Sequence, residues 1–448
     1  MSDLTTAVYE IREHADDYWL AENYYWGRVA ELFVSPTVKR ALRHAVGGFD
    51  LNLARRPVDA VLDRLKITAL AVPGGDQLLR RLVDQVWTPN SMDRYSRLVH
   101  WAALTFGDAY LIAWPGDTDG AVDLFYNSPT TTRVFYSEED PRRKTYAAKT
   151  WCEGDRDNRV TRANLYYPDR VEKWISKAGS SAVEDADFVE FEVEGEPWPL
   201  PNPTGQVPVF HFRTRDPYGQ PEHFGAFGPQ NALTKLSATL MATIDFQGWP
   251  QRYALLKAGQ DSFTAFDDDE ETNPNDVESP LKSDPGGLWK LPNVEAVGQF
   301  QPATVQAFLD PMSAYIRFMA AATATPLRFF DPQGQIPSGE ALRADEAPLA
   351  MRIGDRQAWF AEEWNNALVY AASLAGFSVP SVAVQWAPVQ VVDDYQGWQA
   401  IALKVATGVP LDHALVEAGY PSDVVAEWMT ARQTAAPGRE APPNGGTA

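Results

Sequence analysis

The chain has 448 residues, of which 45% are hydrophobic and 22% are charged, a composition typical of a folded protein with more than one domain. Lysine and arginine number 39 against 60 aspartates and glutamates, so the formal net charge is −21. This excess of acids argues against a nucleic-acid clamp, because the neutralisation of phosphates requires a surplus of basic side chains. It is compatible with a protein that lets DNA slide past without gripping it.

Cysteine usage and hydropathy restrict the compartment. The single cysteine, Cys152, excludes an internal disulfide and any cysteine-rich zinc site, and a reduced cytosolic thiol is the favoured interpretation. The sequence has no apolar run long enough to span a bilayer, and its acidic first residues do not resemble a signal peptide. We therefore expect a protein that is made and used in the cytoplasm, or in a particle assembled there.

The first half of the chain predicts helices followed by short strands. Helical spacing of apolar residues occurs at 1–45, 52–65, 76–87 and 91–107, with a strand predicted at 66–72. Beyond residue 108, runs of β-forming residues are separated by turn residues, as in antiparallel hairpins. These strands are predicted at 109–114, 122–126, 132–136, 146–151, 162–167, 171–175 and 207–212. Together they predict an α+β fold.

The second half predicts two helices that enclose a small β-containing insert. The helices are expected at 229–247 and 303–323, and the strand-like pieces at 252–257 and 287–291. Between these strands, residues 261–279 contain eight acids and no lysine or arginine. Prolines and a glycine then interrupt residues 325–337.

A long helix is expected after the interrupted segment. Ser338 is its predicted N-cap, and the helix continues to about residue 374, with a kink favoured by Pro348 and Gly354. Shorter helices are predicted within 393–433. The last fifteen residues are rich in proline, glycine and alanine, a composition typical of disorder.

A search for catalytic motifs finds none. The chain lacks the phosphate-binding loop of ATPases, the Gly-x-Ser-x-Gly elbow of hydrolases and the His-Glu-x-x-His zinc motif. Its six histidines lie far apart in sequence, so structural or surface histidines are favoured over metal ligands. Residues 407–432 resemble a helix-turn-helix, but their acids argue against a helix that reads DNA. No catalytic residue, metal or cofactor is predicted.

Four stretches taken together resemble one protein family. They are RPVDAVLDRL at 56–65 before a strand, LTFGDAYLI at 104–112, LYYPDRVEKW at 165–174 with NPTGQVPV at 202–209, and TP at 325–326 with PSGEAL at 337–342 before a long helix. The order and spacing of these stretches make the chain similar to the portal proteins of tailed bacteriophages, in particular those of the siphophage type. The resemblance covers residues 20–430.

The resemblance implies an α+β portal-type ring subunit with named regions. Residues 1–228 and 338–388 would form the wing, the helices at 229–247 and 303–324 the stem, and residues 248–302 the clip. Residues 325–337 would be the tunnel loop, 389–433 a short helical crown, and 434–448 a disordered tail. The acidic run departs from the family pattern and leaves the clip boundaries open.

The resemblance also implies a structural role without enzymatic activity. A ring of about twelve copies would form the DNA channel at one capsid vertex, for genome packaging, retention and ejection. The implied partners are further copies of the chain, double-stranded DNA bound non-specifically, the large terminase motor, the major capsid or scaffolding protein, and a head-tail adaptor. No cofactor and no membrane contact are implied, and the location is the virion, after assembly in the host cytoplasm.

Candidate site residues follow from these regions. The tunnel loop offers Arg328, Phe329, Phe330, Asp331, Gln333 and Gln335 to the channel. The first stem helix offers an apolar face that a free subunit is expected to expose, formed by Leu233, Leu236, Leu240 and Ile244. The second stem helix carries only two charged residues, Asp310 and Arg317. The clip offers a docking surface for a basic patch of the motor or adaptor at Asp267, Asp268, Asp269, Glu270 and Glu271.

Alternatives remain open at this point. Phe329 and Phe330 could contact DNA, pack against neighbouring loops, or hold the wing core together, and the acidic run could be a solvated loop only. The whole chain could instead be another capsid or adaptor protein, or a metal-dependent α+β hydrolase. The last option lacks a compact set of carboxylates at the spacing of metal ligands.

Overall fold

A computed structural model of the chain describes residues 2–28, 51–73, 75–118, 120–155, 159–177, 184–248, 252–256, 294–299, 304–331, 339–389, 394–418, 420, 425, 426, 428–430 and 432. Its helices are α1 Asp3–Trp26, α2 Arg56–Leu62, α3 Asp76–Leu82, α4 Met92–Phe106, α5 Phe227–Gly248, α6 Gln306–Ala322, α7 Gly339–Leu374, α8 Asp394–Ala406 and α9 Leu411–Glu417. A π-helical turn, Val83–Trp87, continues α3, and short 3₁₀ turns lie at Asp185–Asp187, Phe224–Ala226 and Leu327–Phe329.

The strands form antiparallel sheets. They are β1 Ile67–Ala71, β2 Asp108–Pro115, β3 Val122–Asn127, β4 Thr132–Tyr136, β5 Lys144–Glu153, β6 Val160–Tyr166, β7 Arg170–Ser176, β8 Phe188–Glu190, β9 Leu200–Pro201, β10 Val209–Arg213, β11 Arg252–Leu256, β12 Val294–Gln299 and β13 Ala383–Trp386. The largest sheet has the order β4-β5-β6-β7-β8, with β9 also paired to β7. A second sheet has the order β10-β2-β3, and β1 pairs with β13 and β11 with β12. The predicted α+β class is confirmed.

The two larger sheets stack between helices, and the alternation of side chains shows this layering. Along β5, Ala148 packs in a cluster with α1, whereas its neighbour Ala147 packs in a cluster that contains β2 and β10. Along β2, Tyr110 faces the large sheet, whereas Leu111 faces a cluster that contains α4 and α7. The order of layers is therefore helix, sheet, sheet, helices.

The largest cluster of buried side chains, here called the main core, lies between the β10-β2-β3 sheet and helices α4 and α7. Apolar residues of α7 recur every four or seven residues and form one buried stripe, which is why this 36-residue helix packs against the core from Leu349 onwards. The stripe consists of Leu349, Ile353, Phe360, Trp364 and Leu368. The main core accounts for most of the large side chains that are fully buried.

Helix α1 is shorter than the helix predicted at 1–45. Its first turn is capped by Ser2, whose side-chain oxygen accepts a hydrogen bond from the Thr5 amide at 3.2 Å. It ends at Trp26 because Gly27 takes a left-handed conformation, with φ of 72°. Residues 29–45 of the predicted helix lie outside the described residues.

Two further predictions need correction, and strands β12 and β13 were missed. The helix predicted at 76–87 is α3 followed by the π-helical turn, and the helix predicted at 52–65 is only the seven-residue α2. Strand Arg252–Leu256 pairs with Val294–Gln299, which was not predicted, and the strand predicted at 287–291 lies outside the described residues. Strand β13 was not predicted; it pairs with β1 across more than 300 residues.

Residue 107, between α4 and β2, must be glycine for two reasons: its backbone conformation and the lack of room for a Cβ. Its φ is 94°, and a Cβ at this position would lie 2.6 Å from the Gln220 backbone nitrogen. Any other residue would therefore force apart α4 and the segment after β10. The predicted end of the helix at this glycine is confirmed.

Candidate functional site: a helix pair and its junction with the main core

Helices α5 and α6, here called the helix pair, pack against each other and are connected through the antiparallel hairpin β11–β12. Their positions agree with the helices predicted at 229–247 and 303–323. The family resemblance implies that these helices line a channel, so their surfaces and their junction with the rest of the chain form the candidate site.

The surface of the helix pair is apolar, though not at every predicted residue. Ile244 is 51% exposed, whereas Leu236 and Leu240 are only half-buried. Leu233 is fully buried inside the subunit, so the expectation that a free subunit exposes it is wrong. The reason is a cluster within the chain, in which Leu233 packs with Tyr24 and Met319.

Helix α6 adds exposed apolar residues that the sequence analysis did not single out. Phe318 is 61% exposed and Leu309 is 41% exposed. The charged residues predicted on this helix, Asp310 and Arg317, are both exposed, and Asp310 accepts a hydrogen bond from Gln306 at 2.5 Å. The surface of α6 therefore combines few charges with large apolar side chains.

Gln230 joins the start of α5 to the segment that precedes α2. Its side-chain oxygen accepts hydrogen bonds from the amides of Leu53 and Ala54 at 2.9 and 3.1 Å, and its amide group donates to the Leu51 carbonyl at 2.7 Å. One glutamine thus satisfies three backbone groups of an irregular segment, which would otherwise lack partners. Sequence alone offers no signal for such a residue.

Aromatic stacking strengthens the same junction. The Tyr24 ring of α1 stacks on Phe227 with ring centroids 3.9 Å apart, and its hydroxyl exchanges hydrogen bonds with the Asn231 side chain. The close approach of the turn before α5 to the end of α6 is possible because residue 225 is glycine. A Cβ there would lie 3.0 Å from the Ala322 carbonyl oxygen.

The segment after α6 is anchored by two aromatic side chains. Phe330 is 7% exposed and packs with Leu233, Met319 and Ala320 of the helix pair. Phe329 is half-buried and contacts both this cluster and the main core. Of the alternatives for these phenylalanines, packing within the subunit is the one observed, and Phe330 has almost no surface left for DNA.

Charged side chains fix the same segment to α7. Glu346 pairs with Arg64 at 3.3 Å and also with Arg328. The Arg64 guanidinium lies over the Phe329 ring, 5.5 Å from its centroid. Arg328, predicted to face the channel, is thus held by a carboxylate of its own subunit.

The remaining predicted site residues lie at or beyond the edge of the described chain. Asp331 is exposed and is the last described residue before α7. Gln333 and Gln335 lie outside the described residues, as does the acidic set Asp267, Asp268, Asp269, Glu270 and Glu271. Their proposed roles stay predictions.

A buried polar network between the layers was not predicted. Asp108 accepts hydrogen bonds from His211 Nε2 at 2.8 Å, from the Gly219 amide at 2.7 Å and from the Tyr18 hydroxyl at 2.8 Å. Burial would raise the pKa of Asp108, but these donors outweigh it and hold the pKa below its ordinary value. Burial lowers the pKa of His211, so the pair is an ionised carboxylate and a neutral imidazole.

Both ring nitrogens of His211 take part in this network. The other ring nitrogen of His211 lies 2.8 Å from the Tyr136 hydroxyl, which completes its hydrogen bonding. Among the described residues, no set of three or more histidine, cysteine, aspartate or glutamate side chains is arranged to hold a metal ion. None of the described helices is long and apolar enough to cross a bilayer.

Comparison with known protein families gives one match. Residues 64–246, which include α4, all the strands from β1 to β10 and most of α5, match the family described as phage portal protein, SPP1 Gp6-like. This match covers less than half of the chain. The match ends within the first helix of the helix pair, and no curated protein matches the chain.

Chains in solved structures of gene transfer agent particles are also similar to this chain. A chain in the virion of a native gene transfer agent particle has 14% sequence identity and a TM-score of 0.46, with 87% of this chain and 95% of that chain covered. A chain in the neck of the empty particle, computed with C6 symmetry, has 14% identity, a TM-score of 0.48 and the same coverage. The neck of the native particle, computed with C12 symmetry, gives 15% identity and a TM-score of 0.46.

Proposed function

We propose that this chain is a phage portal protein, which assembles into a closed ring that forms the DNA channel at one vertex of a phage capsid. The observation that carries the proposal is the portal-family match over residues 64–246, which covers most of the layered body and enters the helix pair. The role is structural: genome packaging, retention and ejection pass through the ring, whereas the ATP-driven motor is a separate protein.

The regions of the portal map onto the described elements. In this proposal the layered body, within residues 1–228 and 338–388, is the wing, and the helix pair is the stem. Hairpin β11–β12 belongs to the clip at 248–302, residues 325–337 form the tunnel loop, and helices α8 and α9 belong to the crown at 389–433. The junction built by Gln230 and Tyr24 then connects stem to wing.

The stem would contact DNA without retaining it. Each lysine or arginine that neutralises a phosphate adds affinity, which would act as friction on a moving duplex. Helix α6 offers only Arg317 as an exposed base, and Asp310 on the same helix opposes it. The ring is therefore proposed to bind double-stranded DNA non-specifically and weakly.

The proposed partners meet the ring at two regions, the clip and the wing. The large terminase motor docks at the clip, where the acidic run at 267–271 would meet a basic patch. A head-tail adaptor replaces the motor once packaging is complete, and the major capsid or scaffolding protein surrounds the wing at the portal vertex of the virion.

Negative-stain images and particle mass of the purified protein test this proposal. We expect closed rings with a central hole, of about twelve subunits, because a stem with exposed apolar side chains needs neighbours to cover it. A single species with the mass of one subunit at micromolar concentration would contradict the proposal.

A further inference from the structure

One side of α1 combines acidic and apolar side chains that the described residues of the subunit leave uncovered. Tyr9, Glu13, Asp16 and Leu20 are spaced by three or four residues, so they form one stripe along the helix, and all four are exposed. We call this stripe the acidic face. Over its whole length α1 contains six carboxylates and a single arginine.

A basic groove of opposite character lies at the other end of the same helix. It has a volume of about 610 Å³ and is formed by α1, α2 and α4. We call it the arginine groove, and its lining includes Trp26, Arg55, Arg56, Arg94, Arg97 and Trp101. Like the acidic face, it places aromatic surface beside charge, a composition typical of protein interfaces.

Two of the four arginines are available to a partner. Arg55 pairs with Asp59 and Arg97 pairs with Asp63, each at 2.8 Å. Arg56 and Arg94 are exposed, and within the described part of the chain no carboxylate lies at ion-pair distance from either. The groove therefore retains positive charge after its internal pairs are counted.

The acidic face and the arginine groove cannot meet within one subunit. Glu13 and Trp26 are thirteen residues apart on a continuous helix, which separates them by about 20 Å at 1.5 Å per residue. A cyclic ring, by contrast, is built from head-to-tail contacts that join two different surfaces of neighbouring copies. It would offer one acidic face to each arginine groove.

We propose that the acidic face of one copy docks into the arginine groove of the next copy, and that this contact sets the order of subunits in the ring. The inference rests on the proposed ring function and names the surfaces that join its subunits. Glu13 and Asp16 pair with Arg56 and Arg94 across the contact, while Tyr9 and Leu20 cover the aromatic wall of the groove.

Charge complementarity favours a second copy over DNA as the occupant of the groove. DNA would also be attracted by arginines beside tryptophans. However, Asp59 and Asp63 neutralise two of the four arginines, so only two remain for phosphates, and these two match the two carboxylates Glu13 and Asp16 of the acidic face. The acidic face is also present in the same number of copies as the groove.

Charge reversal tests the contact in the full-length protein. Variant E13K/D16K reverses the acidic face and variant R56E/R94E reverses the groove. Both should fold, because all four residues are exposed, and Arg56 and Arg94 lie in the first turns of their helices, where glutamate is favourable. Controls E138K/E139K and R142E/R143E make the same changes in charge on the exposed turn between β4 and β5.

Particle mass measured for each protein gives the result. Each reversed variant alone should lose the ring, since like charges then face each other, while both controls form rings like the unmodified protein. An equimolar mixture of the two reversed variants should recover rings, because an alternating order restores every pair.

Other outcomes overturn the proposal. Rings formed by either reversed variant alone, or folded variants whose mixture stays unassembled, would show that these surfaces do not meet. Intact R56E/R94E rings with weakened DNA binding in a filter assay would assign the groove to DNA instead. Recovery of a two-subunit species would show a two-fold contact in place of the ring contact. Failure of the unmodified protein to form rings would contradict the proposed function itself.

Discussion

The main core and the helix pair differ in how they bury apolar surface. In the main core, Trp364, Phe360 and Phe212 are completely buried by residues of their own subunit. On the helix pair, Phe318 and Ile244 are each more than half exposed. Surface this apolar is rarely left open on a monomer, so the two regions depend on different partners for their stability.

We infer that the main core stabilises the folded subunit and that the helix pair serves in ring assembly. The main core gains its stability within one chain and should fold before any ring exists. The helix pair is fixed at one end by Gln230, Tyr24 and Phe330, whereas its exposed side chains gain contacts only from neighbouring copies. Mutations in the two regions should therefore fail in different ways.

The largest expected effect is in the main core. Trp364→Ala should lower the free energy of unfolding by about 3–5 kcal/mol, because it opens a cavity in the core. It also removes the hydrogen bond that the indole donates to His100 at 2.9 Å. Urea unfolding measures this loss. Met351→Ala, at a position 73% exposed on the same helix, is the matched control and should change stability by less than about 0.5 kcal/mol.

The junction between the two regions should be the next most sensitive point. Phe330→Ala is expected to cost about 3 kcal/mol, the lower end for a buried phenylalanine, because its cluster is small. Leu327→Ala, three residues earlier and 40% exposed, serves as the control. Equal stability of the two variants would show that the packing of Phe330 does not hold the segment to the helix pair.

Stability should fall in mild acid because buried histidines are neutral in the fold. Burial lowers the pKa of His223 from 6.5 to about 4 and that of His100 to about 3. Below pH 6.5 the unfolded chain takes up protons that the folded chain refuses, so this contribution is complete above pH 6.5 and is lost as the pH falls toward 4. Each pKa unit corresponds to about 1.4 kcal/mol.

Urea midpoints measured from pH 7 to pH 4.5 test this prediction. His223→Gln should flatten the pH profile, because its ring donates only one hydrogen bond, to the Ala21 carbonyl at 2.9 Å, which an amide can replace. His413→Gln, at an exposed position of α9, should leave the profile unchanged. A flat profile for the unmodified protein would mean that the buried histidines accept protons in the folded state.

The smallest effect on the subunit itself should come from the helix pair. Ile244→Ser combined with Phe318→Ser removes exposed side chains, so the free energy of unfolding should change by less than about 0.5 kcal/mol per site. Ring assembly should nevertheless weaken, which light scattering over a range of concentrations detects. Unchanged assembly would mean that neighbouring copies do not cover these residues.

Local patterns predicted the parts of the fold that depend on local structure. Runs of β-forming residues between turn residues predicted strands such as Val122–Asn127 and Thr132–Tyr136. Gly107 predicted the end of the helix that precedes β2. The helices at 227–248 and 306–322 were also predicted, since their apolar residues recur at helical spacing. These features depend on neighbours within a few residues along the chain.

Contacts between distant residues could not be predicted in this way. The burial of Leu233 and Phe330 depends on their meeting Tyr24 and Met319, and nothing in the local sequence shows that meeting. Strand β13 was missed because its partner, β1, lies at the other end of the chain. Asp108 and His211 are polar residues in apolar runs, and this is the one sequence signal that could have indicated a buried pair.

A reconstruction of the assembled ring by electron cryomicroscopy tests the central claim most directly. We expect the main core to keep its packing around Trp364, and Ile244 and Phe318 to be covered by a neighbouring copy, in a ring with a central channel. A ring in which both side chains face open solvent, or a particle that has no ring, would contradict the division between a self-sufficient core and a helix pair completed by its neighbours.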